Sequence, residues 1–213
     1  MNNTTEIVFI LDRSGSMACL EADVIGGFNA TIARQKKEEG KAYVTTVLFD
    51  DRYEVLHDRI DLHEVKELDA TQYYVRGCTA LLDAIGKTIA HIDTVHRYIR
   101  PEDVPDHTMV IINTDGMENA SREFDHQMIR KMVQEHQDKG WEFLFLGANI
   151  DSYAVAGSFG LSEKNITNYM HDRTGMHKVF EDIGEAICEM RTVGSVGADW
   201  KMRTTTDYES RKR

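Results

Sequence analysis

Apolar residues fall along the chain in two patterns, short unbroken runs and series at helical spacing, and the two alternate. Ile7 to Leu11 is an unbroken run of strand length, the pattern of a parallel strand covered on both faces, and it ends at Asp12. Leu20, Val24, Ile25, Phe28 and Ile32 then recur at helical spacing up to the charged run Lys36 to Glu39, with Gly40 as a stop. Tyr43 to Phe49 is a second strand, and after a turn at Asp50 and Asp51 the segment Tyr53 to Leu56 is expected to return beside it as a short antiparallel strand. Asp61 to Leu68 reads as one short helix. Leu81, Leu82, Ile85, Ile89, Ile92, Val95 and Ile99 mark a strong amphipathic helix ended by the Arg100-Pro101 step. Met109 to Ile112 is a further strand, followed by a helix carrying Phe124, Met128, Ile129, Met132 and Val133 and closed by Gly140. Trp141 to Leu146 is the next strand, Asp151 caps a short helix to Ser158, and Met176, Val179, Phe180, Ile183, Ile187 and Met190 give a final helix.

Strands alternating with helices predict an α/β fold with a parallel sheet covered on both faces. In such sheets ligands bind beyond the carboxyl ends of the strands, where the strand order reverses, so the loops after Leu11 and Asn113 are where chemistry is to be sought. With 213 residues, 41% of them hydrophobic and 29% charged, the chain suits one folded domain, here residues 1–195, followed by a polar and flexible tail over 196–213. The net charge of −11 argues against nucleic-acid or membrane partners, and the one basic cluster, Arg211, Lys212 and Arg213, reads as a frayed, solvated end. Cys19, Cys78 and Cys188 are odd in number and widely spaced, which suits reduced thiols better than a disulfide framework or a zinc site. No signal peptide or membrane span is visible, and a cytoplasmic location is expected. Four triplets of the glycosylation-acceptor type, beginning at Asn3, Asn29, Asn119 and Asn165, are taken as chance matches.

The first strand runs directly into Asp12-Arg13-Ser14-Gly15-Ser16, three oxygen side chains at alternate positions in a loop that opens a helix. A carboxylate and two hydroxyls are hard ligands suited to magnesium or manganese, although Asp and Ser are also the usual residues of a capping loop. Thr114-Asp115-Gly116 brings a second carboxylate to the same edge, and Gly77-Cys78-Thr79 brings a hydroxyl to the start of the long helix. Asp12, Ser14 and Ser16, then Thr79, then Asp115, resemble the metal-ion-dependent adhesion site of von Willebrand factor type A domains, over roughly Glu6 to Arg191. The resemblance implies a doubly wound, six-stranded, mostly parallel sheet with one short antiparallel edge strand and a cation at its top, in a stand-alone intracellular member of bacterial or phage-like type. It further implies that Ser14 and Ser16 bind the cation directly, while Asp12, Thr79 and Asp115 alternate between direct and water-mediated contact. The cation expected is Mg2+, with Mn2+ or Ca2+ as alternatives, and the partner is a protein that supplies an Asp or Glu to it. No catalytic residue is expected.

Other readings meet specific obstacles. A magnesium-dependent phosphatase of haloacid-dehalogenase-like type needs a second acid two residues after its nucleophile, where this chain has Ser14. An EF-hand needs glycine and glutamate where Met17 and Asp23 stand. Gly86-Lys87-Thr88 imitates the end of a phosphate-binding loop, but Leu81 occupies its first glycine, and His63-Glu64-Val65-Lys66-Glu67 lacks the second histidine of a zinc-protease helix. His91 and His96 are expected at the surface or locally bonded. Glu118, Asn119, Ser121, Asn149 and Asp151 are expected to cap loops, and Cys78 to be a small packing residue. A domain of this type without metal, acting as a scaffold, is the remaining alternative.

Overall fold

The computed structural model describes residues 4–212. Met1 to Asn3 and Arg213 lie outside the described residues, and with them the first acceptor-like asparagine and the last residue of the basic cluster. The strands are β1 (Thr4–Asp12), β2 (Lys41–Phe49), β3 (Tyr53–Asp61), β4 (His107–Thr114), β5 (Trp141–Gly147) and β6 (Ile166–Asn168). The helices are α1 (Glu21–Gln35), α2 (Leu81–Tyr98), α3 (His126–Gln137), α4 (Ser152–Ser158), α5 (Arg173–Val193) and α6 (Met202–Arg211). One sheet runs in the order β3-β2-β1-β4-β5-β6, parallel throughout except for the antiparallel β2–β3 pair.

Because side chains alternate across a strand, β1 feeds two separate cores. Ile7, Phe9 and Leu11 pack with Val24 and Phe28 of α1 and with Met176 and Ile183 of α5, while Val8 and Ile10 meet Leu82, Ile85 and Ile89 of α2 and Ile129 and Val133 of α3. Both faces of the sheet are thus covered, as the unbroken apolar run of β1 requires. The order of strands reverses between β1 and β4, which lie in register with Leu11 opposite Asn113. Asp12 and Asp115, each just past that pair, are carried to the same point at the carboxyl edge.

Three segments depart from the sequence expectation. The antiparallel strand runs on from Leu56 to Asp61, with irregular register around Thr46 and a left-handed Arg59 at φ 48°; its polar residues occupy a sheet edge where only one face needs to be apolar. Only Leu62–Glu64 of the expected Asp61–Leu68 helix is helical, as a single 3-10 turn. Leu62, Val65 and Leu68 are buried at a helix-like spacing of three, but Asn29 holds both the N–H and the carbonyl of Leu68, and Lys36 donates to the Val65 carbonyl, so the segment's backbone is satisfied by side chains of the α1 region instead of by a helix. The expected flexible tail over 196–213 is corrected to a 3-10 turn (Ala198–Lys201) and helix α6. Trp200 is buried against the α5 side and donates to the Lys164 carbonyl, while Asp182 of α5 accepts from Thr204 N and Arg203 Nη1. Polar anchoring of this kind leaves no apolar periodicity to read. No helix of the described residues is long and apolar enough to cross a membrane.

Candidate metal centre

The loop after β1 sends alternate residues in opposite directions. Arg13 turns toward β2 and β3, almost fully buried, where its Nε donates to Asp50 Oδ2 at 3.1 Å and its Nη2 to Glu54 at 2.6 Å. Ser14 lines the cleft, and Asp12 is buried beside it. Asp12 Oδ1 accepts from Ser14 N at 2.7 Å and its Oδ2 accepts from Thr114 Oγ1, at the end of β4, at 2.5 Å. Tyr73 OH donates to the Asp12 carbonyl from below. Ser14 Oγ and Ser16 Oγ lie 3.0 Å apart, and Ser16 Oγ donates to Asp115 Oδ1 at 2.5 Å. Thr79 comes from the loop before α2; a Cβ placed on Gly116 would lie 2.4 Å from Thr79 Oγ1 and 3.1 Å from Ser16 Oγ. Ser14, Ser16, Thr79 and Asp115 therefore line one small space that Gly116 leaves open, and the buried Asp12 is tied to it through Ser14 N and Thr114 Oγ1.

Of the residues expected to cap loops, Glu118, Asn119, Ser121 and Asp151 do so, in a way that bears on the site, whereas Asn149 lines the rim of the cleft. Asn119 Oδ1 accepts from Thr79 N, Glu118 Oε2 from Leu82 N and Ser121 Oγ from Asp83 N, so the first turn of α2 is capped by the loop that follows Asp115. Asp83 answers by accepting from the N–H groups of Arg122, Glu123 and Phe124. Gly77, left-handed at φ 68°, packs so closely that a Cβ would lie 2.2 Å from Asp51 Oδ1, and its carbonyl accepts from Gly15 N. Asp151 caps α4 by accepting from Ala154 N. Cys78 is exposed on the rim, correcting its expected packing role.

Sequence reasoning missed the supports beneath and beside these ligands. His171, in the loop between β6 and α5, donates from Nε2 to the Ser16 carbonyl at 3.1 Å, and the same nitrogen lies 2.7 Å from Asp115 Oδ2 without aiming its hydrogen there. Asp115 Oδ2 is thus a buried acceptor that no hydrogen bond satisfies. Tyr169 is fully buried with its hydroxyl unpartnered, and burial together with the charges of Asp115 and Asp12 pushes its pKa well up.

Electrostatics point the same way as the donor set. Burial, with a smaller contribution from the neighbouring charge of Asp115, pushes Asp12 up to about 6 even though Thr114 and Ser14 hydrogen-bond its carboxylate. Burial likewise raises Asp115 against the opposing effects of Ser16 and His171. Two carboxylates that resist ionising, three hydroxyls and an unsatisfied carboxylate oxygen fit a hard divalent cation of the magnesium type. Among the described residues no group of three or more His, Cys, Asp or Glu side chains is arranged to hold a metal ion, so this hydroxyl-rich set differs from a zinc-type cluster.

The cleft has a volume of about 340 Å³ and shares Met117, Asn149 and Ile150 with a larger groove of about 800 Å³ that runs to Tyr208 and Lys212 of the α6 end. A separate hollow of about 330 Å³ between α1 and α5 gathers no comparable oxygen set.

No family model matches the sequence, and no curated protein matches it either. Solved structures do match in shape. Proximal thread matrix protein 1 from the mussel byssus, in a form with a zinc-occupied MIDAS motif, is 17% identical with a TM-score of 0.58, covering 86% of this chain and 46% of its own. A second crystal form of that protein is 16% identical with a TM-score of 0.58, over 87% of this chain and 46% of the other. A von Willebrand factor type A protein from Catenulispora acidiphila is 14% identical with a TM-score of 0.55, over 86% of this chain and 42% of its own. The fold is that of a von Willebrand factor type A domain. This chain spans less than half the length of each of these proteins. Ser14, Ser16, Thr79 and Asp115 line a cleft at the carboxyl edge beside the β1–β4 switch point, next to Asp12 at the end of β1.

Proposed function

We propose that this type A-like domain is a protein-binding module that works through a divalent cation, and that it catalyses no reaction. The observation that carries the reading is the convergence of Ser14, Ser16, Thr79 and Asp115 on one cleft, with the buried Asp12 joined to it through Ser14 N and Thr114 Oγ1, and with Asp115 Oδ2 buried without a hydrogen bond. Ser14 and Ser16 would hold the ion directly, with Asp12, Thr79 and Asp115 placed for direct or water-mediated contact; the hard donor set favours magnesium or manganese. When bound, the cation supplies an electrophilic position for an Asp or Glu of a partner protein. The chain's own residues do the rest: Asp12 and Asp115 offset the charge, Thr114 and Ser14 N orient Asp12, and Asn119 fixes the Thr79 loop. A phosphatase reading is disfavoured because Asp12, its required nucleophile, is almost fully buried with each oxygen already accepting a hydrogen bond, and Ser14 stands where the proton-transferring acid belongs.

The test is titration of manganese and magnesium into chelator-treated protein by calorimetry, beside Ser16→Ala, followed by partner capture with magnesium and with chelator. The parent should bind, the variant should lose at least about tenfold in affinity, and chelator should release the captured partner. A parent that binds neither ion, or a partner retained equally in chelator, would overturn the reading.

A further inference from the structure

The C-terminal helix α6 lies beyond the strand–helix order that builds the two cores, yet its last turn reaches the metal face. Arg211 donates from Nη1 to Asp172 Oδ2 at 2.5 Å and from Nη2 to Asp172 Oδ1 at 3.2 Å, and it also pairs with Asp207 within α6. Asp172 is the N-cap of α5, accepting from Gly175 N at 2.8 Å, and the residue before it is His171. The loop that presents His171 is held at its other end by Tyr169 N, which donates to the Gly147 carbonyl at the end of β5. It is also packed hard onto α5, since a Cβ on Gly175 would lie 2.0 Å from the Met170 carbonyl. At its amino end α6 is pinned by Asp182 and by Trp200. Arg211 of α6 thus fixes Asp172, the chain neighbour of His171, and His171 donates to the Ser16 carbonyl with the same nitrogen 2.7 Å from Asp115 Oδ2.

We propose that α6 is a working part of the metal centre: Arg211, acting through Asp172, sets the loop whose His171 positions Asp115 and the Ser16 backbone for the cation. This rests on the reading of the site as a metal centre. His171 is a positioning residue, holding the Ser16 carbonyl through its N–H and standing beside the one Asp115 oxygen that no hydrogen bond fixes. Fixing a ligand's orientation from outside the coordination shell is worth about tenfold to a hundredfold in metal affinity. Arg211 and Asp172 are both about a third or more exposed at their side chains, 32% and 44%, so their pairing adds little to global stability; its two-pronged geometry instead fixes direction.

The experiment measures manganese affinity of the full chain, by calorimetry and by the electron paramagnetic resonance of free ion, for the parent and for His171→Ala, His171→Gln, Arg211→Ala and the double Ala variant. Thermal unfolding in chelator is followed in parallel. His171→Ala should weaken manganese at least about tenfold, and His171→Gln, which keeps an N–H donor of similar reach, should recover most of that loss. Arg211→Ala should weaken manganese severalfold with an almost unchanged Tm in chelator, and the double variant should be no weaker than His171→Ala, because Arg211 acts through His171. Unchanged manganese affinity in Arg211→Ala, or losses that simply multiply in the double variant, would overturn this inference and leave the metal centre standing. A parent chain that does not bind manganese would overturn both.

Discussion

The carboxylate that ends β1 is costly to the fold, and removing its charge should reveal the cost. Asp12 is held at about 6 in the folded chain against an ordinary 3.8, mainly by burial. A difference of that size corresponds to about 3 kcal/mol of disfavoured ionisation. An acid that holds its proton more tightly folded than unfolded loses stability as pH rises. Asp12 is neutral in both states below about pH 4, the penalty grows between roughly pH 4 and 6, and it is constant above that. Asp12→Asn removes the penalty while keeping the shape: its amide oxygen can still accept from Ser14 N, and its NH2 faces a Thr114 hydroxyl able to turn and accept. In chelator at pH 7.5 the variant should therefore unfold at a Tm about 6–12 °C above the parent, taking 2–4 °C for each kcal/mol in a chain of this length. The gap should shrink toward pH 4. With magnesium at about a hundredfold over Kd the parent gains about 2.7 kcal/mol and the variant nothing, which closes most of the difference. Calorimetric scans at four pH values, with and without the ion, measure all of this. A variant no more stable than the parent at pH 7.5 in chelator, or a gap that does not depend on pH, would refute the argument that burial of this charge is uncompensated by the protein alone.

Two further outcomes follow from geometry elsewhere. Gly116→Ala places a methyl 2.4 Å from Thr79 Oγ1, so manganese affinity measured by calorimetry should fall by about tenfold or more at a stability loss of about 1–3 kcal/mol. Asp93 is held at about 2 by hydrogen bonds from Lys139 first and from His136, so its contribution is present above about pH 4 and is lost as pH falls toward 2. Asp93→Asn should cost about 1 kcal/mol at pH 7 after allowing for solvent screening around the half-exposed Lys139, and urea midpoints of variant and parent should converge as the pH falls to about 2 and below.

What the sequence made legible is what lies close together along the chain or repeats with a fixed period. The buried parallel strands announced themselves because a strand covered on both faces must be apolar at every position, as Ile7 to Leu11 is. The proximity of Asp12, Ser14 and Ser16 was legible because they stand at alternate positions of one short loop. Strand β6 was not, since Ile166–Asn168 is too short to show a period, and β3 was cut short because His57, Asp58 and Arg59 lie on an edge that tolerates polar residues. Helix α6 was mistaken for a tail because charge pairs and a single buried tryptophan anchor it, and neither repeats at helical spacing.

The candidate metal centre shows why that boundary falls where it does. Asp12 meets Thr114 across 102 positions, and this could be anticipated only because strand order in a doubly wound sheet brings successive carboxyl ends to one edge, so a rule of topology stood in for proximity in sequence. No such rule places His171. It lies 155 positions from Ser16, in a connecting loop whose path depends on how Tyr169 meets β5 and how Asp172 meets α5 and Arg211. Each of those contacts is individually weak in composition terms, a histidine and an aspartate in a chain rich in both. The carboxyl-edge position of the candidate ligands is therefore set by sheet topology, whereas the position of His171 depends on this chain's own loop contacts and on helix α6. If His171 and Arg211 act as proposed, cation affinity here would depend on side chains that never touch the ion.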